Sequence, residues 1–338
     1  MNYRLLGESG LKVSEICFGV MSFTGQQGWR HIASTSQTGA DELVSVALEQ
    51  GVNFFDTADT YSSGVSEIML GKALKNHRSE AIIATKCGFR MGPGPNDDGL
   101  SRRHIIAACE ASLKRLGTDY IDLYQIHSYD FRTPLEESLG TFDLLVKQGK
   151  IRYFGVSNFT GWQLMKAIAL CRENGWERII SLQAYYSLLG RDLELELMPV
   201  CLDQGVGVLT WSPLHGGILS GKYHRVKKWP KNTRLKTPAD HLPYDESKGS
   251  AILDELAAIG RRRKVSIAQV SLNYLLRKPG VTALVIGARG KKQLLDNLQI
   301  GQWRLSEEEM KKLDSLSEPP RIYPFWYFDI FRKERIRP

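Results

Sequence analysis

Four side chains in this sequence could share one proton-transfer reaction: Asp56, Tyr61, Lys86 and His127. A tyrosine, with a reference pKa of about 10, is a poor acid or base near neutrality. A neighbouring ammonium favours the phenolate and makes the phenol a better proton donor. Lys86 can supply that ammonium, Asp56 can keep it charged and in place, and His127 can hydrogen-bond a substrate oxygen or help relay a proton. Such a set suits delivery of a proton to a carbonyl oxygen that is gaining negative charge. Taken singly, each residue also has an ordinary structural role open to it: Asp56 with Lys86 as a paired charge, His127 as a satisfied core imidazole, Tyr61 as loop packing.

The segments that carry these residues have a common form. In GVNFFDTADTY, residues 51 to 61, an apolar run ends at Asp56, and Tyr61 follows in a short polar loop before a helical stretch. Similar runs end at Gly19 (ICFG), Lys86 (AIIATK), His127 (IDLYQIH), Asn158 (IRYFGVSN), Gln183 (IISLQ), Ser212 (GVGVLTWS) and Gly287 (ALVIG). Successive ends fall 25 to 41 residues apart except for the last interval, which is 75. Amphipathic stretches lie between the runs, with Gly51, Gly117 and Gly175 as stops and Pro134 at a helix start. Pro199 is expected to kink or break the helix that contains it. Eight such units predict an α/β fold, a (β/α)8 TIM barrel forming one domain over residues 1–338, with all strand C-terminal ends on one face. Residues scattered between 56 and 287 then converge without a local motif.

Three additions to the barrel are expected. Residues 3 to 15 read as an N-terminal hairpin closing one end. Residues 224–249, with three prolines and no apolar periodicity, read as a long surface-loop insertion after the seventh barrel strand. Residues 319–338 form a C-terminal tail, aromatic as far as Phe331 and basic beyond it, laid over the barrel mouth or against another subunit of a homo-oligomer. Ser306 and Glu309 have the spacing of a capping box.

Composition narrows the function classes. The chain has 338 residues, 45 Lys and Arg against 37 Asp and Glu, and a net charge of +8, a balance that can steer an anionic ligand such as a phosphorylated cofactor. Its basic clusters are short and lack a nucleic-acid reader motif, so no nucleic-acid partner is expected. No apolar run approaches the length of a membrane span, so no membrane insertion is expected. The five cysteines are far apart and lack a C-x-x-C pair, which predicts reduced thiols in the cytoplasm and no metal site. No signal-peptide pattern is evident at the N-terminus.

Taken together, FFDTADTY, IIATK, LYQIH, FGVSNF, WSPLHGGILSGKY and IGARGKKQLLDN resemble the aldo-keto reductase superfamily, on the branch that includes bacterial reductases and voltage-gated potassium channel beta subunits. The resemblance runs from about residue 3 to residue 317. It implies that Asp56, Tyr61, Lys86 and His127 form the catalytic tetrad, with Tyr61 as general acid in reduction and base in the reverse direction. Lys86 would tune Tyr61, Asp56 would hold Lys86, and His127 would orient the carbonyl of a small-molecule substrate.

Hydride chemistry requires a redox cofactor. A G-x-G-x-x-G fingerprint is absent, and GGILSGKY has P-loop spacing at Gly216, Gly221 and Lys222 but Tyr223 where a Ser or Thr is needed. The resemblance implies NADP(H), with NAD(H) as the alternative, extended across the barrel mouth. Trp211 would stack on the nicotinamide, and Ser157, Asn158 and Gln183 would hold its carboxamide. Ser212, Leu214, Gly216, Leu219 and Lys222 would follow the ribose and pyrophosphate, and Gly287, Arg289, Gln293 and Asn297 the adenosine end. Arg289 is the candidate for the 2′-phosphate, because a guanidinium can fork onto phosphate oxygens, with Lys292 as a weaker one. The family's better-known branch has Lys and Arg in place of Gly287 and Gln293. Phe23, Trp29, Tyr129 and the tail aromatics are expected around an apolar substrate. Two rival readings are a cofactor-holding redox sensor in a larger assembly and a lyase using Lys86 as a Schiff-base nucleophile, a role that needs a neutral amine.

Overall fold

The structure, a computed structural model, describes residues 1–23, 35–225 and 242–335, with side chains as far as Phe331. Ten strands and eleven helices alternate along these residues. The hairpin is β1 (Tyr3–Leu5) and β2 (Lys12–Ser14), and the barrel strands are β3 (Ile16–Gly19), β4 (Phe54–Asp56), β5 (Ile82–Cys87), β6 (Ile121–Ile126), β7 (Ile151–Ser157), β8 (Ile179–Tyr185), β9 (Gly207–Trp211) and β10 (Val281–Ile286). The eight pair in parallel and close in the order β10-β3-β4-β5-β6-β7-β8-β9, which is the expected (β/α)8 barrel. Parallel strands are covered on both faces, so each is written as a nearly continuous apolar run.

Helices α1 (Gln37–Glu49), α2 (Val65–Ala73), α3 (Arg102–Leu116), α4 (Leu135–Lys147), α5 (Gly161–Glu173) and α6 (Leu197–Gln204) follow the barrel strands from β3 to β8 in turn. After β9 come α7 (Glu246–Arg263) and α8 (Ile267–Leu276), and after β10 come α9 (Lys291–Leu298), α10 (Glu307–Leu316) and α11 (Phe325–Arg335). Gly117 closes α3 at a left-handed φ of 65°, and the Ser306–Glu309 capping box opens α10. Pro199 stands in the first turn of α6, where a missing N–H leaves no hydrogen bond unmade, and a separate turn at Asp192–Glu194 precedes that helix. The break expected there is present.

Two apolar layers result. Cys17, Phe54, Ile82, Ala84, Leu123, Leu209 and Ala283 fill the barrel, with Leu6 and Val13 of the hairpin region beneath them. A larger layer packs between strands and helices. The hairpin seals the strands' N-terminal ends: Arg4 donates to the Val281 carbonyl at 2.7 Å, and a Cβ at Gly7 would lie 2.5 Å from the Gly205 carbonyl. Polar chemistry is left to the opposite end. All five cysteines are buried and free, and no helix among the described residues is long and apolar enough to cross a membrane.

Two expectations need adjustment. Helix α7 begins at Glu246, inside the segment read as loop to residue 249, because the Asp245 carboxylate caps it by accepting from Ser247 N and Lys248 N. Residues 226–241 of the insertion lie outside the described residues. The tail, in turn, forms a helix, and its Trp326, Tyr327, Phe328 and Ile330 stay exposed on this chain. Ile322 and Tyr323 before the helix and Phe325 at its start meet the mouth, where these residues and Asn158, Tyr185 and Leu193 line a cleft of about 440 Å³.

Candidate active site

Alternation along each strand places the polar residues. Phe54 points into the barrel, so Asp56 does too; Ile82 and Ala84 point inward, so Lys86 follows; Leu123 sets the direction for Gln125 and His127, and Leu209 for Trp211. Each inner row therefore changes from apolar to polar at its C-terminal end.

Lys86 is completely buried. Its ammonium donates to Asp56 Oδ2 at 2.7 Å, to the Thr57 carbonyl at 2.7 Å and to Tyr61 Oη at 3.5 Å, which uses all three of its protons. The other oxygen of Asp56 accepts from Gln183 Nε2 at 2.7 Å. Burial alone would lower the Lys86 pKa, but the Asp56 carboxylate and the Tyr61 phenol outweigh it and hold the ammonium above its ordinary value. A charged, fully engaged lysine cannot act as an amine nucleophile, which argues against the lyase reading.

Tyr61 sits at the start of a short turn, Tyr61–Gly64, in which Ser62 and Ser63 take left-handed φ values of 50° and 54°. Thr57 Oγ1 and Ser66 Oγ bond each other at 2.9 Å, and Ser66 donates to the Val20 carbonyl at 2.9 Å, so the turn is tied down at both flanks. Local strain of this kind persists only where the surroundings over-determine it. The Tyr61 ring lies 5.8 Å from that of His127, edge to face, and Phe89 covers the imidazole at 4.5 Å.

His127 is a neutral group. Burial, and then the Lys86 charge, push its pKa down to about 2, and its Nδ1 has no hydrogen-bond partner among the described residues. Turnover should accordingly show no ionisation of this imidazole between roughly pH 5 and 8. The stability effect has the opposite visibility: the unfolded chain binds a proton below about pH 6.5 while the folded chain refuses it, so stability falls as the pH drops from there toward 2. Urea midpoints measured against pH should show this slope in the parent chain and a shallower one in His127→Gln.

The residues assigned to the nicotinamide also meet. Asn158, at a left-handed φ of 56°, donates through Nδ2 to the His127 carbonyl at 2.9 Å and to Ser157 Oγ at 3.1 Å, and its Oδ1 accepts from the Trp211 indole at 3.0 Å. The Trp211 ring packs against Tyr185 with centroids 5.2 Å apart. From Ser212 to Lys222 the chain turns through left-handed residues at Ser212, His215, Gly216 and Gly217. Such turns direct successive N–H groups to one side, as anion-binding loops do. Leu214 is partly buried and Leu219 fully buried beneath this loop, and Lys222 is exposed beside it.

At the far rim Gly287 and Arg289 are exposed, and Arg289 N donates to Gln293 Oε1 at 3.1 Å. Asn297 is buried with its Nδ2 lacking a partner among the described residues. A left-handed glycine loop, an exposed guanidinium and an orphaned amide donor together fit an extended phosphorylated dinucleotide.

The substrate assignments fare differently. Phe23 is wholly buried, packed on Phe18 at 6.1 Å, so its ring offers no surface to a ligand. Tyr129 joins an aromatic cluster with Phe131, Phe159 and Trp162. Trp29 lies outside the described residues. Phe89, half exposed beside His127, was not singled out in the sequence. Asp59 was likewise passed over: its carboxylate is buried, and burial with the nearby Glu67 raises its pKa to about 7.

Comparison with known proteins identifies the family. Residues 15–318 match the model of the Aldo/keto reductase family. The chain is 34% identical to a versiconal hemiacetal acetate reductase of Aspergillus parasiticus over 96% of its own length and 99% of the relative's. It is 36% identical to an uncharacterized oxidoreductase, YrpG, of Bacillus subtilis, covering 95% and 97%. A probable voltage-gated potassium channel subunit beta of Arabidopsis thaliana is 33% identical, with 88% and 90% covered. With a closed eight-stranded barrel and a family match over nearly its whole length, the chain belongs to the aldo/keto reductase family.

Proposed function

We propose that this protein reduces an aldehyde or ketone to an alcohol with NADPH, as one barrel domain with its working face at the strands' C-terminal ends. The observation that carries the reading is the Lys86 ammonium held between the Asp56 carboxylate and the Tyr61 phenol beneath a neutral His127. Trp211, Ser157 and Asn158 would hold the nicotinamide, which when bound would supply hydride to the carbonyl carbon. Tyr61 gives its phenolic proton to the carbonyl oxygen, and Lys86 stabilises the phenolate that remains. Asp56 fixes Lys86, and His127, unable to carry charge at neutral pH, orients the oxygen by a hydrogen bond. In the reverse direction Tyr61 accepts the proton. Five free buried thiols support a cytoplasmic setting.

NADPH is favoured over NADH by Arg289 at the rim. Arg289→Ala should weaken NADPH by about tenfold or more, the effect of losing a charge-assisted hydrogen bond or two, and leave NADH nearly unchanged. Fluorescence titrations with both dinucleotides check this, and equal losses would remove Arg289 from the phosphate role.

A second reading, a cofactor-holding subunit of a larger assembly, draws on the plant channel-subunit relative and on the exposed aromatic tail. A panel of aldehydes, ketones and quinones with each dinucleotide separates the two. Oxidation of NADPH by members of the panel is expected; a bound dinucleotide that no carbonyl oxidises would favour the subunit reading.

A further inference from the structure

His215 stands inside the loop assigned to the ribose and pyrophosphate, yet its side chain turns away into the protein. It is buried, with a left-handed φ of 48° that a non-glycine residue seldom adopts. Both ring nitrogens are engaged: Nε2 faces the Leu242 carbonyl at 3.0 Å, and Nδ1 makes a short hydrogen bond with the Tyr185 hydroxyl. A carbonyl only accepts, so Nε2 carries the proton and Nδ1 takes that of Tyr185. The edge of Tyr244 also packs on the imidazole at 5.0 Å.

Tyr185 is equally fixed. Its oxygen bonds Ser187 Oγ at 2.9 Å, and its ring occupies the space where a Cβ of Gly190 would lie, 2.3 Å from the ring edge. Burial raises its pKa to about 12, so the hydroxyl remains a donor at neutral pH. Its ring then meets Trp211, whose indole N–H holds Asn158, whose amide holds the His127 carbonyl. One chain of contacts therefore runs from Leu242, where the long β9–α7 connection returns to the barrel, to the strand end that carries His127.

We propose that His215 and Tyr185 are a positioning pair for the nicotinamide dinucleotide: joined through the imidazole, they hold the phosphate loop and the Trp211 wall at one fixed separation. This rests on the functional reading above, and it assigns roles to two residues that touch the cofactor only through others. An apolar residue would fill the His215 site, but it would tie the loop neither to Leu242 nor to Tyr185.

The test follows dinucleotide binding by tryptophan fluorescence and release by chase, independently of turnover. His215→Ala should weaken NADPH at least about tenfold and speed its release. Tyr185→Phe, which keeps the ring and loses the hydroxyl, should produce part of that loss. The double variant should be no worse than His215→Ala alone, because the two share one interaction. His215→Asn, which keeps an acceptor near the Nδ1 position, should recover a measurable part. Thermal melts run alongside identify any variant that is only less well folded, since such a variant loses stability while its folded fraction binds normally. Binding and release unchanged in His215→Ala, or fully additive losses in the double variant, overturn the pairing. A parent chain that binds neither dinucleotide instead sinks the functional reading itself.

Discussion

Tyr61→Phe should lower turnover by a factor of about 10² to 10⁴ while the affinity for NADPH stays within about twofold of the parent chain. The geometry explains the separation. The substitution keeps the ring that packs edge-on against His127 and lies 5.1 Å beneath the Lys86 ammonium, and it removes only the oxygen 3.5 Å from Lys86 Nζ. No residue of the proposed dinucleotide wall, made by Asn158, Trp211 and the loop after Ser212, changes. Steady-state turnover with a reactive aldehyde, paired with a binding titration, measures both quantities. Unchanged turnover would reject Tyr61 as the proton donor.

Lys86→Met should be nearly as damaging to turnover and, unlike the tyrosine change, damaging to the fold. Lys86 is buried and, among the described residues, is the only cation that bonds Asp56; its removal leaves a carboxylate with Gln183 as its remaining side-chain partner among them. Breaking a buried pair from one side typically costs about 3 to 5 kcal/mol. Urea unfolding at neutral pH should show a loss of that order. Adding Asp56→Asn to the same chain should recover much of the stability, because the uncompensated charge is gone, and none of the turnover. If the double variant is no more stable than Lys86→Met, the charge pair is not the source of the loss. Because the folded pKa of Lys86 is raised, its ionic contribution is complete below about pH 10 and is lost only as the pH climbs through the folded value. No change from this group is expected across the neutral range.

Much of the barrel was legible because its strands are covered on both sides. Apolar runs ended within two residues of the observed strand ends at Gly19, Asp56, Cys87, Ile126, Ser157, Tyr185, Trp211 and Ile286. Asp56, Lys86 and His127 were legible for the same reason: a polar residue at the end of such a run has the barrel mouth to point into. Tyr61, on a loop, took its meaning from the company of the other three.

What remained hidden depends on contacts between distant segments. Tyr185 and His215 lie thirty residues apart and meet only because β8 and β9 are neighbours. Phe89 looks like loop filler until His127 of the adjacent strand lies against it. Phe23 sits among the polar residues that open a long loop, and its burial follows from packing on Phe18 and Ser22–Thr35 closure by a backbone hydrogen bond of 3.3 Å. The early start of α7 was written in the sequence as Asp245 two and three residues before Ser247 and Lys248, but Gly249 in the first turns masked it. In the tail, closely spaced prolines before Phe325 disguised a helix that begins just after them.

The hairpin beneath the strands makes the barrel a cul-de-sac. Whatever enters at the strands' C-terminal ends has no exit through the floor, where Arg4 and Gly7 close against Val281 and Gly205, so entry and departure share one doorway.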